Sequence, residues 1–110
     1  MDTKLVVSAF SALAHDTRLR VFRLLVKEGP DGLPAGRIAS ELDVAPPTMS
    51  SHLAQLERAG LVHSWRVERR IFYAVEVDGT RRLLRYLTED CCRGQPELCG
   101  DLLEVSRVCD

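Results

Sequence analysis

The chain has no apolar run near the length that spans a bilayer. Its start, Met1 to Phe10, lacks the basic region, long apolar stretch and cleavage site of a secretory leader. Membrane insertion and export are therefore not expected, and the protein is read as one made and kept in the cytosol. It lacks an excess of charge as well: the formal net charge is −1, and the average gives no hint of nucleic acid. There is no internal repeat and no low-complexity linker, so one domain is the simplest account of 110 residues. No cysteine precedes Cys91. Four thiols in an exported chain of this size would suggest a disulfide scaffold; without a leader they suggest metal or redox chemistry, and they direct attention to Cys91, Cys92, Cys99 and Cys109.

What is present is a globular composition, 45% hydrophobic and 28% charged, enough for a single core. The charge is unevenly spread. Residues 1–57 carry 6 basic and 7 acidic side chains, residues 58–85 carry 7 and 3, and residues 86–110 carry 2 and 6, so only the middle segment is basic. Thirteen of the fifteen basic residues are Arg, the side chain that grips a phosphate or a guanine edge through two parallel hydrogen bonds.

The first eighty residues read as helices separated by breakers and closed by a hairpin. Val6, Phe10 and Leu13 share a helical face; Asp16 or Thr17 can cap a second helix whose Leu19, Phe22 and Val26 repeat at helical spacing. Gly29, Pro30, Gly32 and Pro34 end that helix and start a third, striped by Ile38 and Leu42. Pro46-Pro47 suits the first turn of a fourth helix. Its Met49, Leu53 and Leu56 face inward, which turns Thr48, Ser51, Gln55 and Arg58 outward, and Gly60 stops it. Two β-prone runs, Leu61 to Val67 and Ile71 to Val77, bracket Glu68-Arg69-Arg70 as a hairpin with a basic tip. A fifth helix is expected from Thr80 to about Cys92 with Leu84, Leu87 and Cys91 on one stripe, and Pro96 can open a short last helix.

Two short helices joined by a tight turn, the second showing small polar side chains at its start, form the layout of a helix-turn-helix. A helix entering the major groove must present short side chains first, because bulky ones hold it off the base edges, and Thr48, Ser50 and Ser51 meet that requirement. The hairpin arginines Arg66, Arg69 and Arg70 can reach adjacent phosphates. On pattern alone the same helix pair also suits a small helical domain that binds no DNA, with those arginines as solvated surface.

Three stretches carry a family resemblance: Ala12-Leu-Ala-His-Asp-Thr-Arg-Leu-Arg-Val-Phe, Ile38-Ala-Ser-Glu-Leu, and Pro47-Thr-Met-Ser-Ser-His-Leu-Ala-Gln-Leu-Glu-Arg-Ala-Gly-Leu-Val. They resemble the opening stretch, the positioning helix, and the recognition helix with its following strand in the ArsR/SmtB family of winged-helix repressors. The resemblance implies a mainly α (α+β) winged helix-turn-helix of five to six helices with a two-stranded wing. It further implies a homodimer paired through the first and last long helices, which represses an operon on double-stranded operator DNA until an ion or small ligand releases it. The candidate DNA-binding residues are Pro47, Thr48, Ser50, Ser51, His52 and Gln55 of the recognition helix with Arg66, Arg69 and Arg70 of the wing. His52 sits where the family usually has a histidine, and it can either brace the helix pair from a half-buried position or touch a base. Two positions depart from the family pattern: Ala45 replaces the usual polar residue before the recognition helix, and the usual wing glycine is missing.

The whole chain is read as one such domain, with a ligand-binding segment from about 88 to 110. A Cys-x-Cys pair at the start of the recognition motif would fall on Asp43 and Ala45, neither a thiol, and no histidine follows His63 to build the zinc sites of other members. Cys91-Cys92-x6-Cys99 remains, and it resembles the C-terminal motif of an arsenic-responsive subgroup. Trivalent arsenic or antimony is soft, keeps a lone pair and prefers three thiolates in a pyramid, so the trio suits As(III) or Sb(III) as the inducer of a repressor that needs no cofactor to bind DNA. Zinc prefers four ligands with chelating pairs two to four residues apart. Cys109 could complete a four-thiolate set, which leaves a divalent-metal sensor or a thiol-redox sensor open on the same scaffold. Cys91 could also be an ordinary core thiol. No nucleophile lies near a histidine and carboxylate in a catalytic motif, and no Cys-x-x-Cys supports a thiol oxidoreductase.

Overall fold

The computed structural model describes residues 3–88. They form five helices and three short strands, in the order α1 (Thr3–Leu13), α2 (Asp16–Glu28), β1 (Leu33–Pro34), α3 (Ala35–Leu42), α4 (Pro46–Arg58), β2 (Val62–Val67), β3 (Arg70–Val75) and α5 (Val77–Thr88). The expected winged helix-turn-helix forms. The rest of the fifth helix towards Cys92 and the short helix after Pro96 lie outside the described residues.

The first two helices differ from the sequence expectation in three places. On α1 the buried residues are Val6, Ala9 and Ala12, and Phe10 stays 41% exposed; the alanine face admits the closer backbone approach to α2 and α4. On α2 the core takes Val21 and Leu25 and leaves Leu19 and Val26 exposed. Six of the eight residues from Leu19 to Val26 are apolar, so periodicity alone does not select a face there, and packing against α4 and the sheet does. The cap of α2 is neither Asp16 nor Thr17: His15 Nδ1 accepts from the Thr17 N–H at 3.1 Å. Asp16 instead opens the first turn and pairs with Arg20 at 3.1 Å.

The helix-turn-helix follows the expected boundaries. Asp43, in a left-handed conformation, closes α3, and its N–H bonds back to Ala39 and Ser40 carbonyls. Pro46 and Pro47 occupy the first two positions of α4, where a missing N–H removes no helical bond. Met49, Leu53 and Leu56 are buried as their spacing predicts, and together with Leu25, Ile38 and Leu61 they form the centre of the core.

The wing has one strand more than expected. The sheet order is β1-β3-β2, all antiparallel, with Leu33 opposite Tyr73 and Pro34 opposite Phe72. Pro34 belongs to an edge strand, which tolerates the absent donor, so a segment that reads as a helix breaker also pairs. The hairpin turn is Glu68-Arg69, since Val67 pairs with Arg70, and Glu68 adopts φ 57°.

Helix α5 starts at Val77, ahead of Thr80, whose N–H and hydroxyl both donate to the Glu76 carbonyl at 3.0 Å. Its first turn rests on the turn after α4: Gly60 reverses the chain at φ 79°, and a Cβ on Gly79 would overlap the Gly60 carbonyl. Leu83 packs inward, whereas Leu84 and Leu87, adjacent around the helix, remain exposed. The start of α1 meets the end of α5, with the Thr3 and Tyr86 hydroxyls 3.0 Å apart.

Candidate nucleic-acid interface

Burial of Met49, Leu53 and Leu56 fixes the rotation of α4 and therefore decides what faces outward. Pro47, Thr48, Ser50 and Ser51 are all exposed at its N-terminal half, a row of short side chains at the end of the helix that would lead into a groove. Gln55 is half-buried and lines a groove against α1 with Lys4, Val7, Ser8 and Arg58.

His52 is half-buried on the side of α4 that faces α2. Arg18 Nη1 lies 3.3 Å from His52 Nδ1, and because guanidinium only donates, Nδ1 is the acceptor and the ring proton sits on Nε2. Arg18 is itself anchored at the end of α1, its Nε donating to the Ala12 carbonyl at 2.6 Å. The His15 ring lies 4.6 Å from that of His52. Burial, then His15, then Arg18, hold the His52 imidazole below its usual pKa of 6.5. This cluster joins α1, α2 and the recognition helix at one point.

The wing carries Arg66, Arg69 and Arg70, all exposed. Arg66 folds towards the wing's own turn, with Nε donating to the Glu68 carbonyl at 3.2 Å. Arg70 lies over the Phe72 ring, 5.5 Å from its centre, and Phe72 stacks on Trp65 at 5.8 Å. Arg69 and Arg70 share a cleft of about 470 Å³ with Pro34, Ala35, Gly36, Arg37 and Ile71. Arg37 was not among the expected residues, because it lies outside the basic middle segment and reaches the wing only through the pairing of β1 with β3. A further contact ties helix to wing: Ser64 Oγ donates to Glu57 Oε2 at 2.8 Å, and the Tyr73 hydroxyl, partly buried and next to Glu57, is pushed above its usual pKa.

Cys91, Cys92, Cys99 and Cys109 lie outside the described residues. Among the described residues no three His, Cys, Asp or Glu side chains gather as a metal site, and no helix is long and apolar enough to cross a membrane.

A helix pair offering short polar side chains beside a basic hairpin is the architecture of a winged helix-turn-helix regulator, which is built to bind and not to catalyse. Residues 13–64 match the family model described as a helix-turn-helix domain. The chain is 30% identical over 93 residues to the biofilm growth-associated repressor of Agrobacterium fabrum, covering 84% of this chain and 77% of that one. It is 36% identical over 64 residues to the arsenic resistance transcriptional regulator ArsR1 of Pseudomonas putida, covering 58% of this chain and 48% of the relative. Among solved structures it resembles the homodimeric winged helix-turn-helix DNA-binding domain of a possible ArsR-family transcriptional regulator from Mycobacterium bovis, with a TM-score of 0.64, 27% identity, and 79% and 81% of the two chains covered. The chain belongs to the ArsR/SmtB family of winged helix-turn-helix transcriptional regulators.

Proposed function

We propose that the protein is a homodimeric, cytosolic repressor that binds operator DNA through α4 and the wing and is released when As(III) or Sb(III) binds Cys91, Cys92 and Cys99. The observation that carries the DNA reading is the exposed row Thr48, Ser50 and Ser51 on a helix locked by its buried face, next to an arginine-rich wing. Dimerisation is supported by apolar surface on α1 and α5: Val7 and Phe10 on one, Leu84 and Leu87 on the other. Apolar side chains left outward on two neighbouring helices suit burial against a second copy. The homodimeric Mycobacterium domain has the same fold.

The inducer follows from the donor set. Residues 1–90 contain no cysteine, so all thiol chemistry is carried by the segment after α5. Three sulfur donors without a neighbouring histidine suit a soft trivalent ion better than zinc. The arsenic resistance regulator of Pseudomonas putida is a relative over part of the chain, which favours the same inducer. To relieve repression, the ion must bind the DNA-free form more tightly than the DNA-bound form, since only differential affinity moves the equilibrium.

The experiment is a fluorescence-anisotropy titration of the operator complex with arsenite, cadmium and peroxide in parallel. Arsenite alone should release the DNA at low concentration. Cys92→Ser/Cys99→Ser should bind operator normally and resist arsenite, whereas Cys109→Ser should respond like the parent protein. Full release from the double variant would falsify the thiol assignment, and release by cadmium alone would assign the site to a divalent metal.

A further inference from the structure

The cleft between α3 and the wing is lined by Arg37 of α3 and, far from it in sequence, by the consecutive wing residues Arg69 and Arg70, and no carboxylate is among its lining residues. They converge because Pro34 pairs opposite Phe72, which places the start of α3 against the base of the wing. Two of the three are braced before any ligand arrives. Arg70 rests on the Phe72 ring, itself stacked on Trp65. Arg37 is held through Nε by Glu41 at 3.4 Å, a contact that leaves its terminal amino groups for another acceptor. Glu41 offsets part of the Arg37 charge, whereas no carboxylate lines the cleft beside Arg69 and Arg70, and the forked N–H donors of arginine match a phosphate oxygen pair.

We propose that the Arg37–Arg69–Arg70 cleft takes one phosphodiester group of the DNA backbone, so that the first helix of the helix-turn-helix and the wing close on the same strand. The assignment rests on the DNA-binding reading above and adds to it a residue of α3. Arg37 and Glu41 also form an ordinary i,i+4 surface pair, worth little by itself; the phosphate role predicts effects that such a pair does not produce.

The test uses the full chain and a duplex selected by the wild-type protein from a random-sequence library, with single phosphates replaced in turn by neutral methylphosphonates. On the unmodified duplex, Arg37→Ala should weaken binding about tenfold, the scale of one charge-assisted hydrogen bond. It should also lower the salt slope of log affinity by about 1 per half-site, about 2 for the dimer. At one phosphate in each half-site the methylphosphonate should weaken wild type more than Arg37→Ala does, because it also removes Arg69 and Arg70 from that contact, and it should cost Arg37→Ala less than it costs wild type. Arg37→Gln should behave like the alanine variant, and thermal melts of both should match wild type. Equal affinity of Arg37→Ala and wild type on the unmodified duplex overturns the proposal, as do additive losses at every phosphate. Tight, sub-millimolar binding of inorganic phosphate that depends on Arg37, with duplex affinity unchanged, would assign the cleft to a free anion instead. Should wild type select no duplex at all, the DNA-binding reading fails and the proposal with it; selection by wild type with no effect of Arg37 sinks the proposal alone.

Discussion

His52 shows how one side chain serves packing and sets a pH limit. Its imidazole accepts from Arg18, faces His15 and is held below the usual value of 6.5 by burial and these two neighbours. The sign follows directly. Above 6.5 the ring is neutral in both folded and unfolded chains; as pH falls from there through the lower folded value, the unfolded chain takes up the proton first and stability is lost. Melting temperature should therefore drop as pH is lowered through 6.5 and below, and His52→Gln should remove that part of the drop; an identical pH profile in the variant would count against the linkage. Some residues announced such roles in the sequence and others did not. Met49, Leu53 and Leu56 were legible because a helix with polar residues between them admits one inward face. His15 as a cap and Arg37 as a neighbour of the wing were not, since an imidazole acceptor is a rare cap and the Arg37 contact depends on a two-residue strand beginning after Gly32.

Among the elements, the start of α5 sits close against the turn that follows α4. Gly79 has no room for a methyl group beside the Gly60 carbonyl, and that obstacle is backbone, which cannot swing away. Gly79→Ala should cost roughly 2 kcal/mol, read by urea unfolding. A cost close to zero would mean that α5 can shift freely on its seat. Wing and recognition helix should fail in different ways. Replacing Arg66, Arg69 and Arg70 together by Ala should weaken binding to all duplexes and flatten its salt dependence, while Ser51→Ala should reorder sequence preference at an almost unchanged salt slope. Competitive binding to a duplex panel at several salt concentrations separates the two. Apart from β1, the elements themselves were legible from breakers and spacing, because Pro46-Pro47, Gly60 and the Glu68-Arg69-Arg70 tip punctuate the chain. The faces of α1, α2 and α5 were less so. Each carries more apolar residues than its own domain can cover, so spacing gives several acceptable stripes and tertiary packing selects among them.

For the whole molecule, that surplus has a use in the proposed dimer. Leu84 is 37% and Leu87 50% exposed on α5, beside an α1 with Val7 and Phe10 outward. Leu84→Glu/Leu87→Glu should sediment as a monomer with helical content close to wild type and should lose operator binding, because one short recognition helix reads too few base pairs. A wild-type protein that stays monomeric at micromolar concentration, or a double variant that still dimerises, would remove the apolar faces from the interface. Cys91 follows Thr88, the last described residue of this same helix, by three positions in the sequence. Helix α5 has 12 residues and so spans about 18 Å, with its near end seated on the Gly60 carbonyl at the foot of the recognition helix. That seat acts as a fulcrum. In the proposed arsenite response, a displacement passed along α5 would turn about this seat and tilt α4, and a lever is only as stiff as its pivot. Gly79→Ala, by wedging the pivot, should therefore change the arsenite concentration needed for release even in preparations that still bind operator.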